Sequence, residues 1–415
     1  MNSSNEALPL MEVTSSGRIF CPEDHSEYVA EEFWLLAVFG GLVSAIGIGF
    51  NIALLQVLFQ RQLRTTYLIY LAALAIMDIG IIITFLLLMV VANIYEYFHS
   101  YTFFLIWHAY VRYFYVLSRI FTLASTYLVL ACTLERYWEV VQLQSQKHVN
   151  MTQKKRYIIV ALVILGSVAF RGIVFLEVAV DVRPECEGTM GFLVLNRTAL
   201  VKDYVYSKIY SFWAVHVAHV FLPFPALVFL NLAITLTWHR VLTSGRRAND
   251  EVKKFVAKSQ SARKMMVAIV TTYLICNTLH FVLTCWEHID MDFLVRHRDF
   301  YAFASDAVTL LTAINASFRL PIYYASNATI RAAIQNLWFA KGVEYVFERS
   351  KATLTVKKRK SRPNRSSKAS EASGTAAEDE SYLVMDGIHG VDLIANHHTE
   401  EIEKDELLRH HSDAL

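Results

Sequence analysis

The chain has 415 residues, 55% of them hydrophobic and 18% charged, with 26 Phe and 21 Tyr. That balance is too apolar for an ordinary soluble domain and suits one embedded in lipid. A net charge of +2 gives no sign of a polyanionic partner, so nucleic-acid binding has no support.

Residues Met1 to Glu32 are polar and acidic and lack the charged start and short apolar core of a cleaved signal peptide. The first apolar segment is therefore expected to direct insertion. A helix needs about 20 mostly apolar residues to cross the hydrocarbon core. Seven stretches qualify: Phe33–Phe59, Tyr67–Val91, Thr102–Leu134, Tyr157–Val180, Ile209–Trp238, Met265–Trp286 and Phe300–Ala325. The predicted fold class is an all-α membrane protein, a seven-transmembrane helix bundle over 33–326 behind an extracellular segment, 1–32.

Lys and Arg assign the sides. The loops after spans one, three and five carry Arg61, Arg64, Lys147, Lys154, Lys155, Arg156, Arg240, Arg246, Arg247, Lys253, Lys254, Lys258, Arg263 and Lys264. The loop after span two has none, and those after four and six hold only Arg183, Arg197, Lys202, Lys208, Arg296 and Arg298. The basic loops are expected in the cytosol, which puts the N-terminus outside the plasma membrane. The glycosylation sequons at Asn2 and Asn196 then fall outside, whereas Asn150, Asn327 and Asn364 fall inside and Asn315 within span seven.

Beyond span seven, the region 327–349 contains Ile330, Ile334, Leu337 and Trp338 at helical spacing, as an amphipathic helix lying on membrane lipid would. The tail, 350–415, has the composition of a disordered cytoplasmic segment: basic at Lys357–Lys360, rich in hydroxyls at Ser366, Ser367, Ser370, Ser373 and Thr375, and then acidic. Of the five cysteines, Cys21 and Cys186 sit in extracellular, oxidising territory, with Cys285 at the outer end of span six.

Charges inside the spans mark function by default, because each costs several kcal/mol unless paired or hydrated. They are Asp78, Arg112, Arg119, Arg171, Glu177, Asp306 and Arg319. Arg112 and Arg119, seven apart, share one helix face; their plain alternative role is to brace helices against Glu177 or loop carbonyls. His216 and His219, with His280, supply half a metal site and no acid accompanies them, so they read as core histidines and no metal or other cofactor is expected.

Over about residues 33–340 the spans resemble the rhodopsin-like G-protein-coupled receptors. Asn51 in span one, Leu74-Ala75-Ile76-Met77-Asp78 in span two, Glu135-Arg136-Tyr137 closing span three and Pro223 in span five match that family's signatures in order and spacing. Cys276-Asn277 in span six, Asn231 in span five and the run from Arg319 to Asn327 look like the invertebrate FMRFamide-type neuropeptide receptors. The resemblance implies a receptor, not an enzyme, with an extracellular peptide ligand, a heterotrimeric G protein, and arrestin and receptor kinases acting on the tail.

The resemblance also assigns roles. Glu135 would hold Arg136 in a resting pair with Tyr137 beside it. On activation Arg136 would meet Asn231 and a span-seven tyrosine, Tyr323 or Tyr324. Asn51, Asp78, Ser125, Asn315 and Arg319 would form an intramembrane polar core. Matching Tyr323 to the family's span-seven tyrosine directs Arg319 at Asp78, where relatives use a sodium ion. Arg112, Arg119, Glu177, Trp286, Glu287 and Asp306 would line the ligand pocket, with aromatics such as Trp107, Tyr110 and Trp213 nearby. The family's span-three cysteine is missing from Ala109-Tyr110-Val111-Arg112, so Cys186 is expected to pair with Cys21, with Cys285 an available rival. Leu279 replaces the span-six proline, and Ala257–Lys264 has no acid for a lock between helices.

Ser118 stands where amine receptors carry aspartate, and span seven has no lysine for a retinal Schiff base. A rhodopsin-like receptor for a non-peptide small molecule and a seven-span channel or transporter remain the alternatives; the second would not need Glu135-Arg136-Tyr137.

Overall fold

The computed structural model describes residues 21, 28–59, 68–144, 151–244, 250–328 and 330–335. The chain divides into two units, Met1–Glu344 and Tyr345–Leu415, and the second lies wholly outside the described residues, as do Asn2, Leu337, Trp338 and the hydroxyl cluster of the tail.

Six helices are each long and apolar enough to cross a membrane: α1 (Val29–Leu58), α2 (Ile69–Phe98), α3 (Tyr101–Gln142), α4 (Gln153–Leu176), α5 (Val205–Trp238) and α6 (Arg263–Ile289). The seventh span is built from two shorter pieces, α7 (Arg298–Ser317) and α8 (Arg319–Ser326), broken at Phe318. The break follows from Pro321, which has no N–H to donate to the Ser317 carbonyl one turn earlier. On the orientation expected from the basic loops, α3 starts outside and ends inside. It is the central pillar, with 61% of its most apolar window buried, while α4 buries 17% and turns Ile158, Leu162 and Leu165 outward, as a lipid-facing helix must.

Span four ends earlier than the sequence suggested. Val178 to Val180 belong to a strand, β1 (Val178–Val182), paired antiparallel with β2 (Leu193–Arg197), Val180 opposite Leu195. The helical bundle thus carries one hairpin between spans four and five, whose β-branched residues suit strand pairing once outside the bilayer. Cys186 sits in the hairpin loop and is joined to Cys21 with a Cα–Cα distance of 5.7 Å.

Packing in lipid lacks a hydrophobic driving force between helices and relies on close approach and internal hydrogen bonds. A Cβ on Gly47 of α1 would lie 2.2 Å from Ser317 Oγ and 2.9 Å from its Cα, so glycine is what lets α1 meet α7. The inner half of the bundle is one apolar cluster that includes Leu54, Leu71, Leu128, Leu227, Met265 and Tyr323. Ile330 and Ile334 are buried in this cluster, against the protein interior and not turned wholly to lipid.

Irregular turns place polar carbonyls where neighbouring helices can use them. In α5, Leu222 N–H donates to Val217 O, a π-type bond. The next such donor would be Pro223, which has none, so Ala218 O accepts Tyr127 OH from α3 at 2.8 Å. In α2, the π turn Leu86–Val90 likewise leaves Leu87 O to Tyr110 OH at 2.8 Å and Leu88 O to Trp107 Nε1 at 3.0 Å. These two aromatics thus brace α2 to α3, and neither lines the outer cavity.

Candidate functional site: an outer cavity and an inner switch

Between α2, α3, α5, α6 and α7 lies a cavity of about 280 Å³. In α5, His219 within a π turn and His216 just before it face the cavity, α3 contributes Ser118, Arg119 and Thr122, and α6 adds Asn277, His280 and Glu287. Tyr301 and Thr312 close it from α7. Of the six residues expected to form the pocket, only Arg119 and Glu287 line it. Arg119 donates to Tyr115 OH at 3.2 Å and stacks on that ring, leaving the guanidinium edge toward the cavity. Glu287 accepts from Tyr301 OH at 2.9 Å.

The other four are placed differently. Arg112 donates to Phe175 O at 2.9 Å and lies over the Phe175 ring at 4.0 Å, so it takes the bracing role at the end of α4. Glu177 accepts Tyr206 OH at 2.7 Å, joining that end to α5. Trp286 stacks on Phe293, with ring centroids 5.0 Å apart, and Asp306 is half-buried outside the lining. A helical face says which way a side chain leaves its own helix, not whether a neighbour intercepts it.

An acid does accompany the histidines: Glu287 Oε2 is 3.8 Å from His216 Nε2. His216 packs against His288 at 5.0 Å and His219 against His280 at 5.6 Å, tying α5 to α6 across the cavity wall. Glu287 is distant in sequence, and only the helix pairing brings it there. No group of three or more His, Cys, Asp or Glu able to hold a metal occurs among the described residues.

Midway through the bundle the polar core assembles. Arg319 Nε is 2.5 Å from Asp78 Oδ2, and both residues are buried. Ser125 Oγ donates to Asp78 Oδ1 at 3.2 Å and accepts from the Arg319 guanidinium at 3.1 Å. Asn51 Nδ2 donates to Ala316 O at 3.0 Å and Gly47 O at 2.9 Å, stitching α1 to α7 beside the buried Asn315. The break at Phe318 turns Arg319 inward, which makes this pair possible.

At the inner end the expected Glu135–Arg136 resting pair is not formed. Glu135 instead accepts two bonds on Oε1 from Arg156 of α4, at 2.7 Å from Nε and 2.5 Å from the terminal nitrogen. Arg136 donates to Glu139 at 2.5 Å, one helical turn on. The reason is geometric: consecutive helix residues point about 100° apart, so Glu135 faces α4 while Arg136 does not. Arg156 is the residue that sequence reasoning missed, submerged in the basic run Lys154-Lys155-Arg156 and taken only as a loop charge. Tyr137 packs against the inner cluster, Asn231 donates to Thr271 Oγ1 of α6 at 3.1 Å, Tyr323 is buried, and Tyr324 is exposed and accepts from Gln335 at 3.2 Å. Asn196 lies on β2, where its amide donates to Asp181 at 2.6 Å.

Comparison with known proteins identifies the family and the fold. Residues 51–323 match the family described as 7 transmembrane receptor (rhodopsin family). An FMRFamide receptor of Drosophila melanogaster is 26% identical over 303 residues, 70% of this chain and 51% of the relative, so the chain spans about half the length of that curated protein. The crystal structure of squid rhodopsin superposes with a TM-score of 0.56 at 16% identity, covering 76% of this chain and 87% of that one, a likeness of fold. With the family matched from the first span to the seventh, the chain belongs to the rhodopsin family of seven-transmembrane receptors.

Proposed function

We propose that the chain is a plasma-membrane receptor for an extracellular peptide, an amidated neuropeptide of the FMRFamide-like type, and that it activates a heterotrimeric G protein in the cytosol. The observation that carries the ligand class is the similarity to the Drosophila FMRFamide receptor. The cavity chemistry supports it. Arg119 and Glu287 place one cation and one acid on the same lining, among the amide and hydroxyl groups of Asn277, Tyr301 and Thr312. A peptide ending in Arg-Phe-amide brings a guanidinium for Glu287 and a carboxamide oxygen for Arg119. Cys21 is tied to Cys186 in the hairpin loop at the outer end.

On the inner side, Arg136 is the group freed to meet the G protein, and the hydroxyl cluster of the tail is the substrate for receptor kinases and then the docking site for arrestin. The experiment is a panel of amidated peptides applied to cells expressing the chain, with calcium and cyclic AMP recorded. A concentration-dependent response to Arg-Phe-amide peptides, absent in untransfected cells, is the expected result. Responses only to non-peptide small molecules would replace the ligand class.

A further inference from the structure

The two ion pairs at the inner end differ in kind. Glu135 and Arg156 have side chains only 5% and 3% exposed, and a third Arg156 nitrogen donates to Met151 O at 2.8 Å, fixing the segment that leads into α4. Arg136 and Glu139 are more open, with the glutamate 36% exposed. An ion pair reached by water is easily exchanged, whereas a buried one is costly to break by removing one partner. Opening of the inner end therefore releases Arg136 from Glu139 first and leaves Glu135 clasped to α4.

Glu135 Oε1 takes both Arg156 bonds, while Oε2 is buried and makes no hydrogen bond of good geometry, with the Tyr70 hydroxyl the neutral group beside the carboxylate. A carboxylate with a spare oxygen, one residue from Arg136, is a standing competitor for that guanidinium.

We propose that Arg156 is a positioning residue of the signalling switch: by holding Glu135 against α4, it prevents the acid from capturing Arg136, which pairs with Glu139 instead. The proposal rests on the reading of the chain as a G-protein-activating receptor. It gives a direction opposite to that of a simple resting lock. Loss of Arg156 strands Glu135 in a buried place, Arg136, one residue on along the same helix, turns to neutralise it, and the captured arginine cannot meet the G protein. A role confined to folding would lower the amount of receptor without changing the rate per molecule.

The test is ligand-free nucleotide exchange, per receptor molecule, on a panel of purified heterotrimeric G proteins, with the full chain reconstituted in lipid nanodiscs. Glu139→Gln removes the Glu139 pair from Arg136 and is expected to raise the rate about fivefold. Arg156→Gln is expected to lower it by about the same factor, alone and on the Glu139→Gln background. Adding Glu135→Gln to Arg156→Gln is expected to restore at least the wild-type rate, because the competitor is gone. An unchanged or raised rate for Arg156→Gln, or a loss that Glu135→Gln does not restore, overturns the proposal. If Arg156→Gln does not reach the membrane, Arg156→Lys keeps the charge and loses the two-pronged bond. An intermediate rate then supports the proposal and a wild-type rate overturns it. No exchange from the wild type or Glu139→Gln with any G protein overturns the receptor reading itself, and the positioning role with it.

Discussion

Replacing Arg319 by glutamine leaves Asp78 wholly buried with Ser125 as its remaining hydrogen-bond partner. Removing one partner of a buried ion pair costs about 3–5 kcal/mol, because the other charge stays desolvated and uncompensated. Asp78→Asn carries a similar cost, since it strands the guanidinium of Arg319. The double variant, Asp78→Asn with Arg319→Gln, holds two neutral amides around the Ser125 hydroxyl and loses about 1–3 kcal/mol, the range for an imperfectly satisfied buried polar group. The two single losses together therefore exceed the double loss by at least about 3 kcal/mol, the upper end of the coupling found for side chains in contact. The assay is unfolding of the purified receptor in mixed lipid and denaturing-detergent micelles, with all four proteins compared. Losses that add to within about 0.5 kcal/mol would refute the pairing. The same geometry puts a guanidinium where relatives use sodium, so agonist affinity is expected to be unchanged when sodium is replaced by a bulky organic cation. A clear shift in affinity would show that an ion, not Arg319, neutralises Asp78.

Peptide mapping without reduction is expected to recover Cys21 linked to Cys186 and Cys285 as a free thiol; alkylation of both Cys21 and Cys186 before reduction contradicts the tie. Gly47→Val would drive a branched side chain into Ser317, separating α1 from α7 and the Asn51–Ala316 bond, and is expected to lower the yield of folded receptor by the equivalent of about 1–3 kcal/mol. Wild-type thermal stability for that variant would mean that the helices can part without cost. Phosphorylation adds about −1.5 to −2 charge at each hydroxyl of the tail, so truncation before Ser361 is expected to slow ligand-driven internalisation. Unchanged uptake kinetics would reduce that segment to a linker.

The spans, their order and the polar core were legible because each leaves a local mark: a run of apolar residues, or a charge where lipid tolerates none. Asp78 and Arg319 could be joined from sequence because one register of span seven directs the arginine inward, and Pro321 breaks the helix just where that turn is made. The pocket was less legible. Arg112 and Arg119 are equivalent by spacing, yet a carbonyl at the end of α4 captures one and the cavity receives the other. The Glu135–Arg156 bond was hidden for the same reason. Adjacency in sequence suggested Arg136, but helical rotation aims Glu135 at a different helix, and no periodicity reports which basic residue of a loop turns inward. The β1–β2 hairpin was overlooked because Val178–Val182 continues the apolar run of α4, and hydropathy alone does not distinguish a strand from the end of a span.

The central claim, that this chain converts an outside ligand into G-protein activation, is tested most directly by reconstituting it in liposomes with purified heterotrimeric G proteins and applying the amidated peptide found in the cell screen. The account predicts peptide-stimulated nucleotide exchange that is abolished by Arg136→Ala, with the variant present in the bilayer at near wild-type levels and no ion current through either protein. Undiminished exchange from Arg136→Ala would contradict the switch, and a peptide-gated current without nucleotide exchange would contradict the account as a whole.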